Sequence, residues 1–493
     1  MRISQLATRT CRIGITGFTK AGKTALITSL GAHLMHHDPN QFNLGTFRPR
    51  VALSSRMRGE SHRERPVRFG AVKVVDGAEP WKDGVDGVSD FRLPKALGEL
   101  RSGRWPARTT ETSKLVLEGR LSSWRGKTRF EFVDIPGERF GDCGMLTESY
   151  EEWSRQRLQE LEELGGEFQT AEINAFLQLL DRDAISEEEL LEAYKLAQVS
   201  RASHRHRFIS PSSIMLDRDG NRLWDRHGDD LRNGRLLPVA RAVCSGLEDR
   251  EFAPLSRRHR NSHLFSVMAE RYGAYQREIV GKTVAHAMKC EALAVLYDLP
   301  HILLSGPDVY SDAEFLLKNI AESLEPTRYL SAGLRWVTRG RLGIPAVSRV
   351  AVVANQIDRF HCSDYGYAKD LVEELAEQGL GSLRENITRK CFAVSAIQCG
   401  RSTPDDPRLA VPVDSNAGGR VQQYLRVGVH RIPETWYANG RCRWPAGWTP
   451  GEIFSGDESF FIFEKPLLPP YRNALPCHIG LDTLARFLFG VDS

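Results

Sequence analysis

Apolar positions along the chain fall into two kinds of run. Short unbroken runs occur at 11–16 (CRIGIT), 292–298 (ALAVLYD), 349–355 (RVAVVAN) and 391–395 (CFAVS). Runs of this length predict strands buried on both faces. Residues 114–121 (KLVLEGRL) alternate apolar and polar, and 128–133 form a second strand pattern. The turn Trp124-Arg125-Gly126-Lys127 joins them, which predicts an antiparallel hairpin. Helical periodicity appears at 25–35, ending in a cluster that contains Pro39, and again at 312–324 and 364–378. Strands alternating with helices predict an α/β fold with a mostly parallel sheet covered on both faces.

Two long stretches interrupt this alternation. Residues 40–110 are rich in Arg, Gly and Pro with weak periodicity, so they are expected to be mostly irregular, with one strand at 67–75. Between 145 and 290 the pattern becomes charged, amphipathic and helical at 151–164, 186–198 and 266–290, around a polar region at 201–262. That block is expected to be a helical insertion. Residues 400–478 are rich in Pro, Gly and aromatics, and 481–489 close the chain as a short amphipathic helix. The expected organisation is a first α/β part over 1–144, the insertion over 145–290, a second α/β part over 291–400 and a small appendage over 401–493.

Composition narrows the class. Of 493 residues, 41% are hydrophobic and 26% charged, an ordinary globular mixture that excludes wholesale disorder. Lys+Arg at 67 against Asp+Glu at 63 leaves a net charge of +4, too small to argue for nucleic acid. No apolar run approaches the roughly 18 residues of a membrane span, and the opening residues show no secretory pattern. The nine cysteines are scattered and contain no C-x-x-C, which points to a reducing cytoplasm rather than a disulfide framework.

The chemistry concentrates after the first strand. Residues 17–24 fit G-x-x-x-x-G-K-S/T, with a strand before and a helix after. Gly17 and Gly22 let the backbone of Thr19, Lys20, Ala21, Lys23, Thr24 and Ala25 curl around phosphates. Lys23 is expected at the β- and γ-phosphates, and the Thr24 hydroxyl on Mg²⁺. Lys20, three residues before Lys23, is a candidate for a second charge at the developing negative centre. Asp134-Ile135-Pro136-Gly137 ends the strand FEFV as D-x-x-G: Asp134 is expected to hold Mg²⁺, and the Gly137 N–H to sense the γ-phosphate. Glu138 takes the place from which a water could be oriented. Thr109 or Thr110, just before the hairpin, is the candidate switch threonine and metal ligand.

Two later loops carry base chemistry. Asn355-Gln356-Ile357-Asp358 follows a strand and resembles the guanine motif N/T-K-x-D. An Asp there can accept from guanine N1–H and N2–H₂, and adenine cannot donate both. Asn355 is expected to tie this loop to the phosphate loop, and Gln356 departs from the usual Lys. Ser395-Ala396-Ile397 matches S-A-x, whose backbone meets guanine O6.

Further blocks lie outside these motifs: W-P-x-R-T at 105–109, FAPL at 252–255, ERYGAYQREIV, LYDLPHILLSGP and the terminal LDTLARFLFG. Together with TGFTKAGKTALITSL and FVDIPGE, they make the chain resemble the YcjX-like family of stress-associated bacterial P-loop GTPases, in collinear blocks from about residue 11 to 490. The resemblance implies a Ras-like domain, with one antiparallel strand in its parallel sheet, binding GTP or GDP with Mg²⁺. It also implies a small integral membrane protein as partner and a location peripheral to the inner membrane. The expected function is hydrolysis of GTP as a nucleotide-dependent switch. The competing functions are a guanine-nucleotide-binding scaffold with negligible turnover, and an ATPase.

Other features carry less. Asp217–Asn221 lacks the ligands of a calcium loop and reads as a β-turn. The basic clusters at 204–207 and 257–260 read as solvated loop faces. His33, His36 and His37 lack metal-binding partners at ligand spacing, and Asp298 reads as a strand-end cap.

Overall fold

The computed structural model describes residues 9–18, 21–36, 38, 40–44, 46–47, 65–66, 73–74, 89–106, 112–119, 128–163, 169–204, 209–218, 223–324, 347–413, 423–428, 431–445, 448 and 475–491. Thr19, Lys20, Thr109, Thr110 and the Trp124–Lys127 turn lie outside the described residues, as do parts of the 67–75 and 204–207 expectations. The chain divides into two compact units. The first comprises Met1–Pro136, His286–Pro307 and Pro345–Ser493, and the second Gly137–Ala285 and Asp308–Ile344.

The first unit is built on six principal strands: β1 (Arg9–Gly17), β2 (Ser113–Gly119), β3 (Thr128–Asp134), β4 (Ala292–Asp298), β5 (Arg349–Asn355) and β6 (Thr388–Ala393). They lie in the order β6-β5-β4-β1-β3-β2, and among them only β2 runs antiparallel. This is the Ras-like P-loop arrangement. All seven residues of β4 are buried, which is why its sequence shows no alternation. Short pieces at Lys73–Val74 and Ser89–Asp90 extend the β2 edge.

One face of the sheet is covered by helix α1 (Lys23–Met35) and by the terminal helix Leu481–Phe489. Leu26, Ile27 and Leu30 of α1 share a core with Leu115, Leu117, Phe130 and Phe132 of the hairpin, and with Leu484 and Leu488 of the terminal helix. The Phe130 and Phe489 rings meet at 5.0 Å between centroids. The closing helix is therefore part of the sheet's own core and not a peripheral addition. Residues 401–413 and 423–428 form a separate three-stranded antiparallel sheet.

The region 40–110, expected to be mostly irregular, holds one helix among its described residues. Leu93–Arg101 is a helix whose Leu93, Ala96, Leu97 and Leu100 are buried, the i, i+3, i+4, i+7 set of one helical face. At nine residues, with Pro94 in its first turn, it is too short for its period to stand out from a Gly- and Pro-rich surround.

The second unit opens with a 3₁₀ helix, Gly137–Leu146, and is otherwise mostly helical. The polar region 201–262 holds two helices that its sequence does not announce, Leu223–Arg232 and Leu236–Ala242. Ser149 and Glu152 form a reciprocal capping box at the start of helix Tyr150–Glu162. Behind it Trp153 packs against Phe252 and Tyr272, and the Tyr150 hydroxyl donates to the Ala253 carbonyl at 2.6 Å. The opening 3₁₀ helix is pinned inside this unit. Asp142 accepts from Ser212 N–H at 3.0 Å and from the Tyr275 hydroxyl at 2.9 Å, while the Tyr272 hydroxyl and Gln276 Nε2 donate to the carbonyls of Met145 and Glu148. No helix among the described residues is long and apolar enough to cross a membrane.

Candidate functional site

The phosphate loop leaves the carboxyl end of β1, in the middle of the sheet, where ligands of open α/β folds bind. Its two glycines are required by geometry. Gly17 has φ +133°, and a Cβ there would lie 2.1 Å from the Leu296 carbonyl oxygen of β4. Gly22 has φ +82°, and a Cβ there would lie 2.5 Å from Asn355 Nδ2. A left-handed residue directly before α1 turns the chain so that the first N–H groups of the helix point into the loop. No acidic side chain occupies the first turn of α1, so the positive end of its dipole is not offset there. Lys23 Nζ donates to the carbonyls of Gly17 and Phe18 at 2.8 and 3.0 Å, which folds the ammonium back over the loop. Ala21 is fully buried, and Thr24 and Ala25 are half-buried.

Asp134 ends β3, beside the loop's own strand: its Cα is in register with Ile15 of β1 and with Ser113 of β2. It is 2% exposed. Gly137 and Glu138 open the second unit, where Gly137 is buried and Glu138 half-buried in the first turn of the 3₁₀ helix.

The loops after β5 and β6 are joined to the phosphate loop by one side chain. Asn355 Nδ2 donates to the Ala21 carbonyl at 2.7 Å, and Asn355 Oδ1 accepts from Ala396 N–H at 3.3 Å. Gln356, with φ +63°, turns the chain into the short helical turn that carries Asp358. The Asp358 carboxylate is 2% exposed and accepts three internal hydrogen bonds. Ser395 Oγ donates to its Oδ1 at 2.7 Å, and the N–H groups of Cys399 and Gly400 donate to its Oδ2 at 2.6 and 3.1 Å. Burial pushes this carboxyl above its ordinary range, against the pull of those bonds. Ile397 is buried in the same turn.

Four participating residues carry little or no signal in the sequence. Arg359 forms a buried ion pair with Asp298 at 3.0 Å, bracing the turn from the end of β4. The amides of Cys399 and Gly400 hold Asp358 from beyond the S-A-x motif. Ser113 begins β2 with its Cα in register with that of Asp134. Only the Arg following Asp358 hints at the first of these. Among the described residues no group of three or more His, Cys, Asp or Glu side chains is gathered as a metal site. A cation here would have to share its coordination with a nucleotide.

Comparison with known proteins identifies relatives over nearly the whole chain. A Ras-like GTPase YcjX from Escherichia coli (strain K12) is 25% identical over 503 residues, covering 98% of this chain and 96% of that one. A Ras-like GTPase YcjX from Shewanella oneidensis is 24% identical over 512 residues, covering 99% and 96%. The model of the YcjX-like family, DUF463, matches residues 11–221 and 242–492. With both segments of that model running through the phosphate loop, the helical unit and the closing helix, the chain belongs to the YcjX-like family.

Proposed function

We propose that the protein binds GTP and hydrolyses it to GDP and phosphate, acting as a nucleotide-dependent switch. The observation that carries the reading is the Asn355 bridge, which joins a phosphate cradle to a loop bearing a buried carboxylate. The names of the relatives from Escherichia coli and Shewanella oneidensis support the same reading.

In this account the backbone of Thr19, Lys20, Ala21, Gly22, Lys23, Thr24 and Ala25 wraps the phosphates. Lys23 exchanges its loop carbonyls for phosphate oxygens and offsets the charge that develops during in-line attack by water. The donor set fits magnesium: the threonine hydroxyl of Thr24 in the first turn of α1 and the carboxylate of Asp134 at the end of β3 are both oxygen ligands. Thr24, Asp134 and one of Thr109 and Thr110 would hold that Mg²⁺, which neutralises the β- and γ-phosphate oxygens when bound. Gly137 N–H meets the γ-phosphate, Glu138 orients the water, and Lys20 supplies a further positive charge from within the loop. A cytoplasmic site of action beside a small integral membrane partner is the location we attach to this reading.

Base selection rests on Asp358, assisted by Ser395, Ala396 and Ile397. A carboxylate has about four acceptor positions, and Ser395, Cys399 and Gly400 take three of them. Guanine offers two donors, so it takes the remaining position and displaces one backbone donor from Oδ2. That exchange gives a second reading its footing: a P-loop ATPase in which Asp358 serves only to hold the 397–400 turn. Identification of the nucleotide that copurifies, followed by single-turnover hydrolysis, tests the proposal. GDP or GTP released on denaturation, and phosphate formed from bound GTP, are expected. Bound adenine nucleotide supports the second reading, and guanine nucleotide without turnover leaves a scaffold.

A further inference from the structure

Ser113 is the first residue of β2, and its Cα lies directly opposite that of Asp134 on β3. Directly opposed residues of an antiparallel pair project to the same face of the sheet. The next pairs along that face are Leu115 with Phe132 and Leu117 with Phe130. All four belong to the core that contains Leu26, Ile27 and Leu30 of α1. Ser113 and Asp134 therefore share the face covered by the helix whose first turn carries Thr24.

Ser113 is 2% exposed, and its Oγ is buried without a hydrogen-bond partner among the described residues. A buried hydroxyl left so is unfavourable, and such a group at a functional site calls for a water or an ion as its partner. Thr16 also carries a buried hydroxyl without a partner. It lies one residue past Ile15, the register partner of Asp134, and so projects to the opposite face. Of these two residues only Ser113 shares the sheet face of Asp134.

We propose that Ser113 is a positioning residue of the cation site, holding a water of the magnesium hydration shell next to Asp134. This rests on the reading of Thr24 and Asp134 as that site. Magnesium gives up its waters reluctantly and usually keeps several, so a protein site for it needs acceptors set back from the ion. A serine hydroxyl supplies two lone pairs and one proton. It can accept from such a water and donate onward, a combination that Ala cannot offer and Thr can. Outer partners of this kind tune metal affinity without touching the metal.

The test is a magnesium titration of the release rate of a fluorescent GDP analogue from the full-length protein, with the nucleotide affinity in EDTA measured alongside. Ser113→Ala should raise the magnesium concentration needed for half-maximal slowing by about tenfold and leave the affinity in EDTA unchanged. Ser113→Thr should restore the wild-type midpoint. Thermal unfolding without magnesium should be unchanged or improved in Ser113→Ala, because the variant removes a hydroxyl that has no partner. A magnesium midpoint in Ser113→Ala equal to wild type would overturn the proposal, as would equal losses in magnesium and in EDTA. If magnesium does not slow release from the wild-type protein, the reading of Thr24 and Asp134 fails first, and the proposal fails with it.

Discussion

Asn355 and Ala21 stand 334 positions apart, and the side-chain amide of the first donates to the carbonyl of the second at 2.7 Å. The other end of the same amide accepts from Ala396. One side chain thus sets the distance between the loop that would hold phosphate and the loop that would hold a base. Asn355→Ala should weaken nucleotide binding by about tenfold or more, as the loss of two buried hydrogen bonds implies. Asn355→Asp should be worse, because it sets a carboxylate oxygen against the Ala21 carbonyl. Fluorescent-nucleotide titration reads both. An Asn355→Asp variant with wild-type affinity would show that the bridge does not organise the site.

Gly22 faces the same amide. A methyl group there meets Asn355 Nδ2 at 2.5 Å, on a backbone whose φ of +82° an L side chain rarely adopts. Gly22→Ala should abolish nucleotide binding while the far-ultraviolet circular dichroism of the protein is retained. Binding within threefold of wild type would contradict the geometry.

The buried pair of Arg359 and Asp298 makes a separate prediction about stability. Removing one member leaves the other charge uncompensated, which costs about 3–5 kcal/mol. Arg359→Met should lose that much in urea unfolding. Asp298→Asn combined with Arg359→Met should recover most of it, since Asn still caps the helix that begins at Leu299. If the double variant is no more stable than Arg359→Met, the cost does not come from a stranded charge.

Asp142 predicts a pH dependence in the helical unit. Burial raises its pKa above the ordinary carboxylate range, outweighing the bonds from Ser212, Ser210 and Tyr275. The fold therefore prefers the protonated acid. That contribution is complete below the ordinary carboxylate pKa and is lost as pH rises through the raised value. Asp142→Asn keeps an acceptor for Ser212 and Tyr275 but cannot ionise. Stability of the wild type should fall from acidic to neutral pH by more than that of the variant, measured as urea midpoints across the range. Equal slopes would remove Asp142 as the source.

The same residue bears on communication. The 3₁₀ helix after Pro136 begins with Gly137 and Glu138 and is fixed to the helical unit through Asp142, Met145 and Glu148. A γ-phosphate contact at Gly137 would therefore have a covalent route into that unit. Hydrogen exchange should differ across 145–290 between GDP and a non-hydrolysable GTP analogue. Identical exchange in the two states would exclude such a route.

What could be read from the sequence follows from burial. The bounds of β4 and β5 coincide with their apolar runs, because strands buried on both faces leave an uninterrupted pattern that ends at the polar residues Asp298 and Asn355. The phosphate loop shows itself through Gly17 and Gly22, whose backbone conformations few other residues tolerate. Helix Leu93–Arg101 and those at Leu223–Arg232 and Leu236–Ala242 are short, and their burial comes from tertiary neighbours that periodicity does not reveal. The closing helix is plainly amphipathic, yet nothing in LDTLARFLF says that its apolar face completes the core beneath Phe130. Within the site, Asp358 and Ser395 are legible and the other two donors to Asp358 are not: both are backbone amides, of Cys399 and Gly400, which have no residue signature. Ser113 is equally silent, since a serine at a strand start is ordinary until Asp134 is placed opposite it.

The central claim is guanine selection through Asp358, and calorimetric titration of nucleotide-free protein with GTP, ATP and xanthosine triphosphate in magnesium tests it most directly. The account predicts GTP binding at least about a hundredfold tighter than ATP, a gap of roughly 2.7 kcal/mol. Asp358→Asn should shift preference toward xanthosine triphosphate, because the amide can donate to the 2-oxo group that a carboxylate repels. ATP binding as tightly as GTP in the wild type, or a variant that still prefers GTP over xanthosine triphosphate as the wild type does, would contradict it.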